Sequence, residues 1–258
     1  GVIVFDGRDI TSSDAIQSAH MGIAQVPGGR GIFPSLTVAE NLRAAGWMYR
    51  KDKAYLDQAT KNVMDMFPIL RKRADTPAGS LSGGEQQMLS LSQAFIAKPK
   101  LLMIDELSLG LAPTIVEQLL EIVRAIHDQG TTIILVEQSV NVALRIAERA
   151  VFMEKGEIRF FGSTADLLER PDILRSVFLQ GAQEGMELGA GGEMEGDKPA
   201  IQMTAAERKA DQARRDALLE KPVVLEARDI VKRYGGVTAV NGASFQLHED
   251  QILGLIGP

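Results

Sequence analysis

The chain has 258 residues, of which 45% are hydrophobic and 24% are charged, with a formal net charge of −6 and no cysteine. This composition excludes collagen-like, mucin-like and wholly disordered chains, and the missing cysteine excludes disulfides, thiolate metal sites and cysteine nucleophiles. The longest apolar runs are far shorter than the roughly 20 residues that a membrane span needs, and the negative charge argues against a nucleic-acid partner.

The N-terminal part of the chain begins with short strands and continues with helices. β-Branched and aromatic residues predict strands at 2–5 and 23–26. Residues 36–72 are predicted to be mostly helical, because Thr37 and Glu40 form a capping box and apolar residues then recur at helical spacing.

From Leu81 onward, predicted helices alternate with buried strands. Short, continuous apolar strands are typical of a parallel sheet that is covered on both faces. The alternation therefore predicts an α/β fold with a mainly parallel sheet. The predicted helices span 86–97, 115–126 and 140–147, and the predicted strands span 101–104, 131–136, 150–153 and 157–161.

The composition changes at residue 181. Glycine and glutamate dominate residues 181–196, which is typical of a linker. Residues 204–220 are rich in Ala, Glu, Arg and Lys and open with a capping box, Thr204 and Glu207, so they predict a solvated linker helix. Strands are predicted again at 223–228, 243–247 and 252–256.

Residues 81–87, Leu-Ser-Gly-Gly-Glu-Gln-Gln, form the first segment with recognisable chemistry. Two glycines and a serine stand at the start of a predicted helix, where open backbone N–H groups and a hydroxyl suit a phosphate group. Taken alone, a Ser-Gly-Gly turn is also an ordinary helix start.

The second such segment is the apolar strand 101–104, which ends in Asp105-Glu106. Open α/β sheets bind ligands at the carboxyl ends of their strands. One acid there can hold a magnesium ion, and the other can orient or deprotonate a water that attacks a phosphate. Taken alone, the pair is also compatible with a solvated acidic turn.

Together, the two segments resemble the signature motif and the Walker B strand of the ATP-binding subunits of ABC transporters. The resemblance implies a P-loop NTPase-like ABC ATPase domain of α/β fold, with a mainly parallel sheet, a helical subdomain at about 36–80 and an antiparallel β subdomain. It implies ATP and Mg²⁺ as cofactors, with Asp105 as the metal ligand and Glu106 as the catalytic base. It also implies that Ser82, Gly83 and Gly84 contact the γ-phosphate of an ATP held by an opposing domain. The signature residues that it places at this nucleotide are Leu81, Ser82, Gly83, Gly84, Glu85 and Gln86.

The flanking sequence extends the resemblance. Residues 107–113 are similar to the D-loop region, although Leu107 stands where Pro is usual. The family's switch His falls at Gln138, which can donate to a phosphate oxygen but cannot titrate, and which we expect to be the second catalytic residue. The Q-loop position falls at Gly28, with Gln25 three residues earlier.

Three segments indicate a subgroup of the family. Residues 31–42, 109–113 and 136–138 resemble the ATP-binding subunits of branched-chain amino-acid importers and of their urea or amide relatives. The resemblance therefore implies ATP hydrolysis that drives uptake of branched-chain amino acids or a related small polar solute.

The C-terminal residues resemble the opening of another ATP-binding domain. Tyr234 falls at the A-loop position, where an aromatic ring stacks on adenine, and Gly257 would be the first glycine of a G-x-x-x-x-G-K-[ST] loop. No Lys-Ser or Lys-Thr P-loop occurs in the sequence, so we expect negligible ATP turnover from the isolated chain.

The chain also begins at Gly1 rather than Met and ends just after a strand-like run, so we expect a tandem fusion truncated at both ends. The expected organisation is the C-terminal part of a first ATP-binding domain at 1–180, a linker at 181–222 and the N-terminal strands of a second domain at 223–258.

The resemblance also implies partners and a location. The partners are a second ABC ATP-binding domain in a head-to-tail dimer, transmembrane permease subunits docked on residues 36–80 and, indirectly, a periplasmic solute-binding protein, with no nucleic acid. The location is peripheral, at the cytoplasmic face of the inner or plasma membrane. One alternative is a soluble tandem ABC ATPase of translation or DNA maintenance, although such proteins usually carry long coiled coils or a strongly basic character. Another is a non-catalytic binding or regulatory module, against which Asp105-Glu106 argues for the parent protein, although it nearly describes what we expect of the truncated chain alone.

The order of the segments suggests one further hypothesis. Residues 223–256 hold strands that normally precede a P-loop, and residues 1–180 hold what normally follows it. The C-terminal strands could therefore fold back, as in a circular permutant. This hypothesis predicts that they share a sheet with 101–104 and 131–136, whereas independent folding predicts no contact with residues 1–180.

Overall fold

The computed structural model describes residues 1–28, 31–168, 170, 213 and 216–257. The predicted linker at 181–196, and the capping box Thr204 and Glu207, lie outside these residues. Of the predicted linker helix, residues 213 and 216–220 are described, and 213 and 216–219 are helical.

The strands and helices follow the predicted order. The strands are β1 (Val2–Phe5), β2 (Arg8–Asp9), β3 (Ile23–Val26), β4 (Leu101–Asp105), β5 (Thr132–Glu137), β6 (Arg149–Glu154), β7 (Glu157–Ser163), β8 (Val223–Tyr234), β9 (Val237–His248) and β10 (Ile252–Ile256). The α-helices are α1 (Ala15–His20), α2 (Val38–Ala45), α3 (Lys53–Met66), α4 (Pro68–Lys72), α5 (Gly83–Ala97), α6 (Pro113–His127), α7 (Val140–Leu144) and α8 (Thr164–Leu168). Short 3₁₀ turns lie at Gly46–Tyr49 and Ala78–Ser80. No helix within the described residues is long and apolar enough to cross a membrane.

The predicted boundaries of three elements, α7, β8 and β9, were wrong. Helix α7 ends at Leu144 rather than at residue 147, and β8 and β9 are each 12 residues long, well beyond the predicted strands. The outer parts of β8 and β9 are largely exposed, so they lack the apolar run from which a strand is predicted. Their backbones are held by cross-strand pairing with each other, which the sequence of either strand alone does not show.

The chain divides into two compact units. The first comprises residues 1–11, 138–251 and 255–258, and the second comprises residues 12–137 and 252–254.

The second unit contains the parallel sheet. Its strand order is β3-β4-β5, followed by residues 252–254 of β10, and β4 is parallel to both β3 and β5. Helix α5 is largely buried and packs against β3, α2, α3, α4 and α6. Residues 36–80 hold α2, α3, α4 and both 3₁₀ turns, as predicted for a helical subdomain. The sheet and α5 therefore fix the two segments that were predicted to carry chemistry.

The first unit is mainly antiparallel. Its four-stranded sheet has the order β2-β1-β8-β9, with Val2 opposite Arg228 and Phe5 opposite Leu225. Strands β6 and β7 form the predicted hairpin, and the end of β10 lies beside β6. This sheet fits the expected antiparallel β subdomain. The core of this unit includes Val140, Ala143, Ala150, Phe152, Leu167 and Ile256.

The fold-back hypothesis is confirmed for β10 and wrong for β8 and β9. Residues 252–254 extend the sheet of β3, β4 and β5 in the second unit, whereas β8 and β9 join β1 in the antiparallel sheet of the first unit. The difference follows from their side chains. Residues 252–254 are all buried, as a strand that is covered on both faces requires, whereas β8 and β9 keep exposed residues that an antiparallel sheet can present to water.

Candidate functional site

The signature segment (Leu81–Gln86) forms the start of α5. Ser82 is the N-cap, with extended backbone, and it forms a reciprocal capping box with Glu85. The Ser82 N–H and hydroxyl both donate to Glu85 Oε2, at 2.8 and 2.9 Å, and the Glu85 N–H donates to Ser82 Oγ at 3.4 Å. The hydroxyl that was predicted as a phosphate donor is therefore already engaged by Glu85.

The two glycines of the signature segment have different surroundings. A Cβ on Gly84 would lie 2.8 Å from Ile115 Cγ2, so this glycine lets α5 approach α6 closely. A Cβ on Gly83 would find only Leu111 Cδ2, at an ordinary 3.8 Å. Packing therefore explains Gly84, whereas Gly83 is exposed and leaves room for an approaching ligand.

The backbone N–H groups of Gly83 and Gly84 are the open donors of the segment. They stand in the first turn of α5, where no carbonyl of the helix itself can accept from them. Among the described residues no acceptor is found for either group. The positive end of the helix dipole and these two donors together favour an anion at this position.

The remaining residues of the segment hold it in place. Leu81 is buried, and the Gln86 side chain donates to the carbonyls of Leu81 and Ala78, at 3.1 and 3.3 Å. Arg73 lies 3.7 Å from Glu85 and offsets its negative charge near the anion position. The basic run 71–73 predicts only a solvated face, because nothing in the local sequence indicates a contact between Arg73 and Glu85.

Asp105 and Glu106 stand at the carboxyl end of β4, as predicted. Glu106 has a left-handed backbone, with φ 49°, and its N–H donates to the carbonyl of Val136 at 2.9 Å. A Cβ on Gly28 would lie 3.3 Å from Glu106 Oε2, so the carboxylate rests against a backbone without a side chain. Gln25, the other Q-loop candidate, is an exposed residue of β3.

The carboxylates at the end of β4 fit a magnesium ion that is coordinated partly by the protein and partly by the phosphates of a nucleotide. No group of three or more potential metal-binding side chains occurs in the part of the chain that is described. Mg²⁺ usually keeps several waters and binds through one or two carboxylates plus substrate phosphates. The carboxylate of Asp105, at the end of β4, is compatible with that mode of binding.

Glu137 and Ser108 form a pair that sequence reasoning missed. Glu137 is the last residue of β5 and only 2% exposed, and its carboxylate accepts hydrogen bonds from the Ser108 N–H and hydroxyl, at 3.0 and 2.8 Å. The sequence does show an acidic residue at the end of an apolar strand, which could have marked Glu137. Its partner Ser108 lies 29 residues away, so no local pattern indicates the pair.

The other predicted site residues belong to the first unit. Gln138 is an exposed residue that directly follows β5. Tyr234 ends β8 with its residue surface 66% exposed, and Lys232 Nζ lies 5.1 Å from its ring centroid. Gly257 follows β10, and a Cβ there would lie 3.1 Å from the carbonyl of Met153, so the glycine allows a close backbone approach.

Comparisons with known proteins identify the family of the chain. A family model described as ABC transporter matches residues 1–108. The high-affinity branched-chain amino acid transport ATP-binding protein BraG of Pseudomonas aeruginosa is 42% identical over 181 residues, which cover 70% of this chain and 76% of that protein. The probable branched-chain amino acid transport ATP-binding protein LivF of Archaeoglobus fulgidus is 37% identical, over 66% of this chain and 71% of that protein.

Solved structures show the same fold. An ATP-binding subunit of an ABC transporter superposes with a TM-score of 0.57 at 23% identity, over 68% of this chain and 73% of that chain. The ADP conformation of an ATP-binding cassette also gives a TM-score of 0.57 at 23% identity, over 68% and 75% of the two chains. The sequence relatives, the fold and the geometry at α5 and β4 agree: the chain belongs to the family of ABC transporter ATP-binding proteins.

Proposed function

We propose that this chain is an ATP-binding component of an ABC importer, in which ATP hydrolysis drives uptake of branched-chain amino acids or a related small polar solute. The observation that carries the proposal is the pairing of two features in one unit. Helix α5 opens with two N–H donors that have no acceptor among the described residues, and β4 ends in Asp105 and Glu106. The 42% identity to a branched-chain amino acid transport ATP-binding protein supports the choice of substrate class.

In the proposed reaction each residue has one task. The N–H groups of Gly83 and Gly84 bind oxygens of the γ-phosphate of an ATP that a second domain holds. Asp105 holds Mg²⁺, and Glu106 orients or deprotonates the attacking water. Gln138 donates a hydrogen bond to a phosphate oxygen. The bound Mg·ATP supplies the activated phosphoryl group and the neutralising charge.

Two residues of the first unit are proposed to bind the adenine and the phosphates of a nucleotide. The exposed ring of Tyr234 suits stacking on adenine, and Gly257 suits the first position of a P-loop. Because the sequence contains no Lys-Ser or Lys-Thr P-loop, we expect negligible ATP turnover from this chain alone, and the signature segment to act on ATP held by a paired domain.

Uptake of labelled leucine into cells that depend on the assembled transporter tests the proposal. We expect Glu106→Gln to reduce uptake about 100-fold or more, because the general base is lost. The matched control is Glu121→Gln, an exposed acid on α6, which should leave uptake unchanged.

Normal leucine uptake in the Glu106→Gln cells would overturn the proposed role of Glu106. If deleting the whole chain also left uptake unchanged, the proposed importer function would be wrong. The alternative, a soluble tandem ATPase of translation or DNA maintenance, would then be favoured. The transport names of both curated relatives favour the importer.

We also propose that permease subunits dock on the helical subdomain at about 36–80, which would place the protein peripherally at the cytoplasmic face of the membrane. Two large apolar residues of the 3₁₀ turn are exposed there, Trp47 at 65% and Met48 at 48%. Arg50 lies 4.9 Å from the Trp47 ring centroid and donates to the Trp47 carbonyl at 3.1 Å, which holds the exposed ring in position. A periplasmic solute-binding protein would act through these permease subunits, and no nucleic acid takes part.

Co-purification with the permease subunits tests the docking surface. Trp47→Ser should reduce the recovered permease without changing the melting temperature of the chain, because an exposed anchor contributes to binding and little to folding. Ile16→Ser is the matched control, since Ile16 is 70% exposed on α1, outside the subdomain. Equal recovery with both variants would overturn the proposed surface.

For the domain organisation we propose parts of two successive ATP-binding domains, 1–180 and 223–258, joined by a linker at 181–222. The support is the order of motifs within the sequence, since the A-loop and P-loop positions Tyr234 and Gly257 follow the signature segment instead of preceding it. Sequencing the transcript that encodes the chain tests this. A Lys-bearing P-loop on each side of the segment is expected, and its absence on both sides would contradict the proposal.

A further inference from the structure

Glu137 is a buried carboxylate that lies next to the proposed catalytic segment and has no role in the reaction as described so far. Its two oxygens accept separate hydrogen bonds from one residue, Oε1 from the Ser108 N–H and Oε2 from the Ser108 hydroxyl. A buried carboxylate is expensive to desolvate unless donors satisfy it. Ser108 supplies two of the donors that satisfy this buried carboxylate, so the positions of the two side chains are coupled.

The carboxyl end of β5 also forms a hydrogen bond with the backbone of Glu106. The Val136 carbonyl accepts the Glu106 N–H at 2.9 Å, and Leu107, between the two bonded residues, is 1% exposed. Residues 106–108 are therefore fixed to β5 at both ends and to the core in the middle.

The backbone of Glu106 needs such support. Its φ of 49° is left-handed, a conformation that residues with a Cβ rarely adopt, because Cβ then crowds the following carbonyl oxygen. The link through residue 108 is one of the restraints on this turn, so its loss should make it easier for the turn to relax and for the Glu106 side chain to shift. The Glu106 carboxylate lies close to Gly28, where a Cβ would be 3.3 Å from Glu106 Oε2.

We propose that Glu137 is a positioning residue: by holding Ser108 through both carboxylate oxygens, it keeps the left-handed turn at Glu106 and so aims the Glu106 carboxylate. The inference rests on the proposed function for the catalytic role of Glu106. It goes beyond that function by assigning the geometry of Glu106 to a residue that touches neither nucleotide nor metal.

Two substitutions separate positioning from simple stabilisation. Glu137→Ala removes both acceptors. Glu137→Gln keeps one oxygen for the Ser108 N–H and offers an amide N–H to Ser108 Oγ, which can also accept, so it should restore the link. Ser92→Ala is the control for lost stability, because it deletes a buried hydroxyl that donates to the Met88 carbonyl at 2.7 Å, in a different part of the same unit.

Amide hydrogen exchange on the full chain tests the link itself. In Glu137→Ala we expect the amides of Glu106 and Ser108 to exchange about tenfold faster or more, since local opening becomes easier. Glu137→Gln should exchange as the unaltered protein does, and Ser92→Ala should leave these two amides unchanged. Unchanged exchange at both amides in Glu137→Ala would overturn the inference.

ATP turnover by the complete protein in its transporter complex tests the consequence. We expect Glu137→Ala to lower kcat about tenfold to a hundredfold, because a small displacement of a catalytic group has that effect. KM should stay within about twofold, since ground-state binding is not altered, and Glu137→Gln should recover most of kcat.

The outcomes distinguish the inference from the proposal beneath it. Turnover that survives Glu106→Gln would overturn the proposed function, and the inference with it. Turnover that is lost with Glu106→Gln but normal with Glu137→Ala would overturn the inference alone.

Discussion

Two helices of the second unit, α2 and α5, begin with a capping box formed by a hydroxyl N-cap residue and a glutamate. Thr37 and Glu40 form a capping box at the first, and Ser82 and Glu85 form one at the second. In both, the N-cap N–H donates to the glutamate at 2.8 Å, and the hydroxyl donates to the same oxygen at 3.0 Å in α2 and 2.9 Å in α5. Local hydrogen bonding therefore does not separate them.

The next two N–H groups separate them. In α2, the N–H groups of Val38 and Ala39 donate to carbonyls within residues 74–76, at 3.1 and 2.9 Å. In α5, the equivalent groups of Gly83 and Gly84 have no acceptor in the described part of the chain. A capping box therefore defines where a helix begins. The residues packed opposite its first turn decide whether the backbone N–H groups there form hydrogen bonds within the protein or remain available to a ligand.

The largest expected effect comes from removing one open donor without disturbing its helix. Gly83→Pro places proline at the first position of α5, where its fixed φ suits a helix, after Ser82 with its extended backbone (φ −65°, ψ 161°). Losing a hydrogen bond to a charged acceptor should weaken ATP-dependent pairing by about 1.5–3 kcal/mol, or about tenfold to a hundredfold. Light scattering of the chain mixed with an ATP-loaded ABC ATP-binding domain that carries a complete P-loop measures it.

Gly83→Ala is the control for this experiment, because it keeps the N–H and its Cβ meets only Leu111, at 3.8 Å. Equal pairing by the proline and alanine variants would show that the N–H of Gly83 is not a ligand donor, and the contrast between the two helix starts would lose its functional meaning.

The next effect concerns stability and compares the two glycines. We expect Gly84→Ala to be less stable than Gly83→Ala by about 1–3 kcal/mol, because only the Cβ at 84 is forced against Ile115, at 2.8 Å. The two substitutions share the same change of residue in the same helical turn, so their helix propensities cancel. Urea denaturation measures the difference, and equal midpoints would show that Gly84 is not required for packing.

A smaller effect is expected from the caps, where the two helix starts should behave alike. Ser82→Ala and Thr37→Ala should each lower the free energy of unfolding by about 1 kcal/mol, because each leaves a first-turn N–H without its side-chain acceptor. Thermal denaturation measures both. A loss for one variant and none for the other would break the equivalence of the boxes.

The smallest effect is a pH dependence at the α2 start. Hydrogen bonds from the Thr37 N–H and hydroxyl lower the pKa of Glu40 below its ordinary value. A lowered pKa in the folded state contributes stability above the unfolded pKa, and this contribution is lost as the pH falls through the folded pKa. Glu40→Gln should therefore make the fall in stability between neutral and acidic pH shallower.

Urea denaturation at a series of pH values measures this slope. Glu121→Gln, at an exposed acid on α6, is the matched control and should keep the steeper fall of the unaltered protein. The same slope for Glu40→Gln and the unaltered protein would contradict a role of this box in acid sensitivity.

The features that could be predicted from the sequence are those that depend on neighbouring residues. The order of the predicted strands and helices, the capping box of Thr37 and Glu40 and the placement of Asp105 and Glu106 at a strand end follow from periodicity and from hydrogen bonds that span only three or four positions. The family resemblance could also be seen in the sequence, because each of its two motifs is a short, uninterrupted run of residues.

Only the tertiary structure decided the features that join distant residues. It assigned β8 and β9 to a sheet with β1, gave Gly84 a packing role through Ile115 and joined Glu137 to Ser108. Within the described residues, it also supplied acceptors for the first N–H donors of α2 but not for those of α5. The reason is the same in each case. Whether a backbone donor, a missing side chain or a buried carboxylate has a partner depends on what folding brings opposite it, and no local pattern encodes that neighbour.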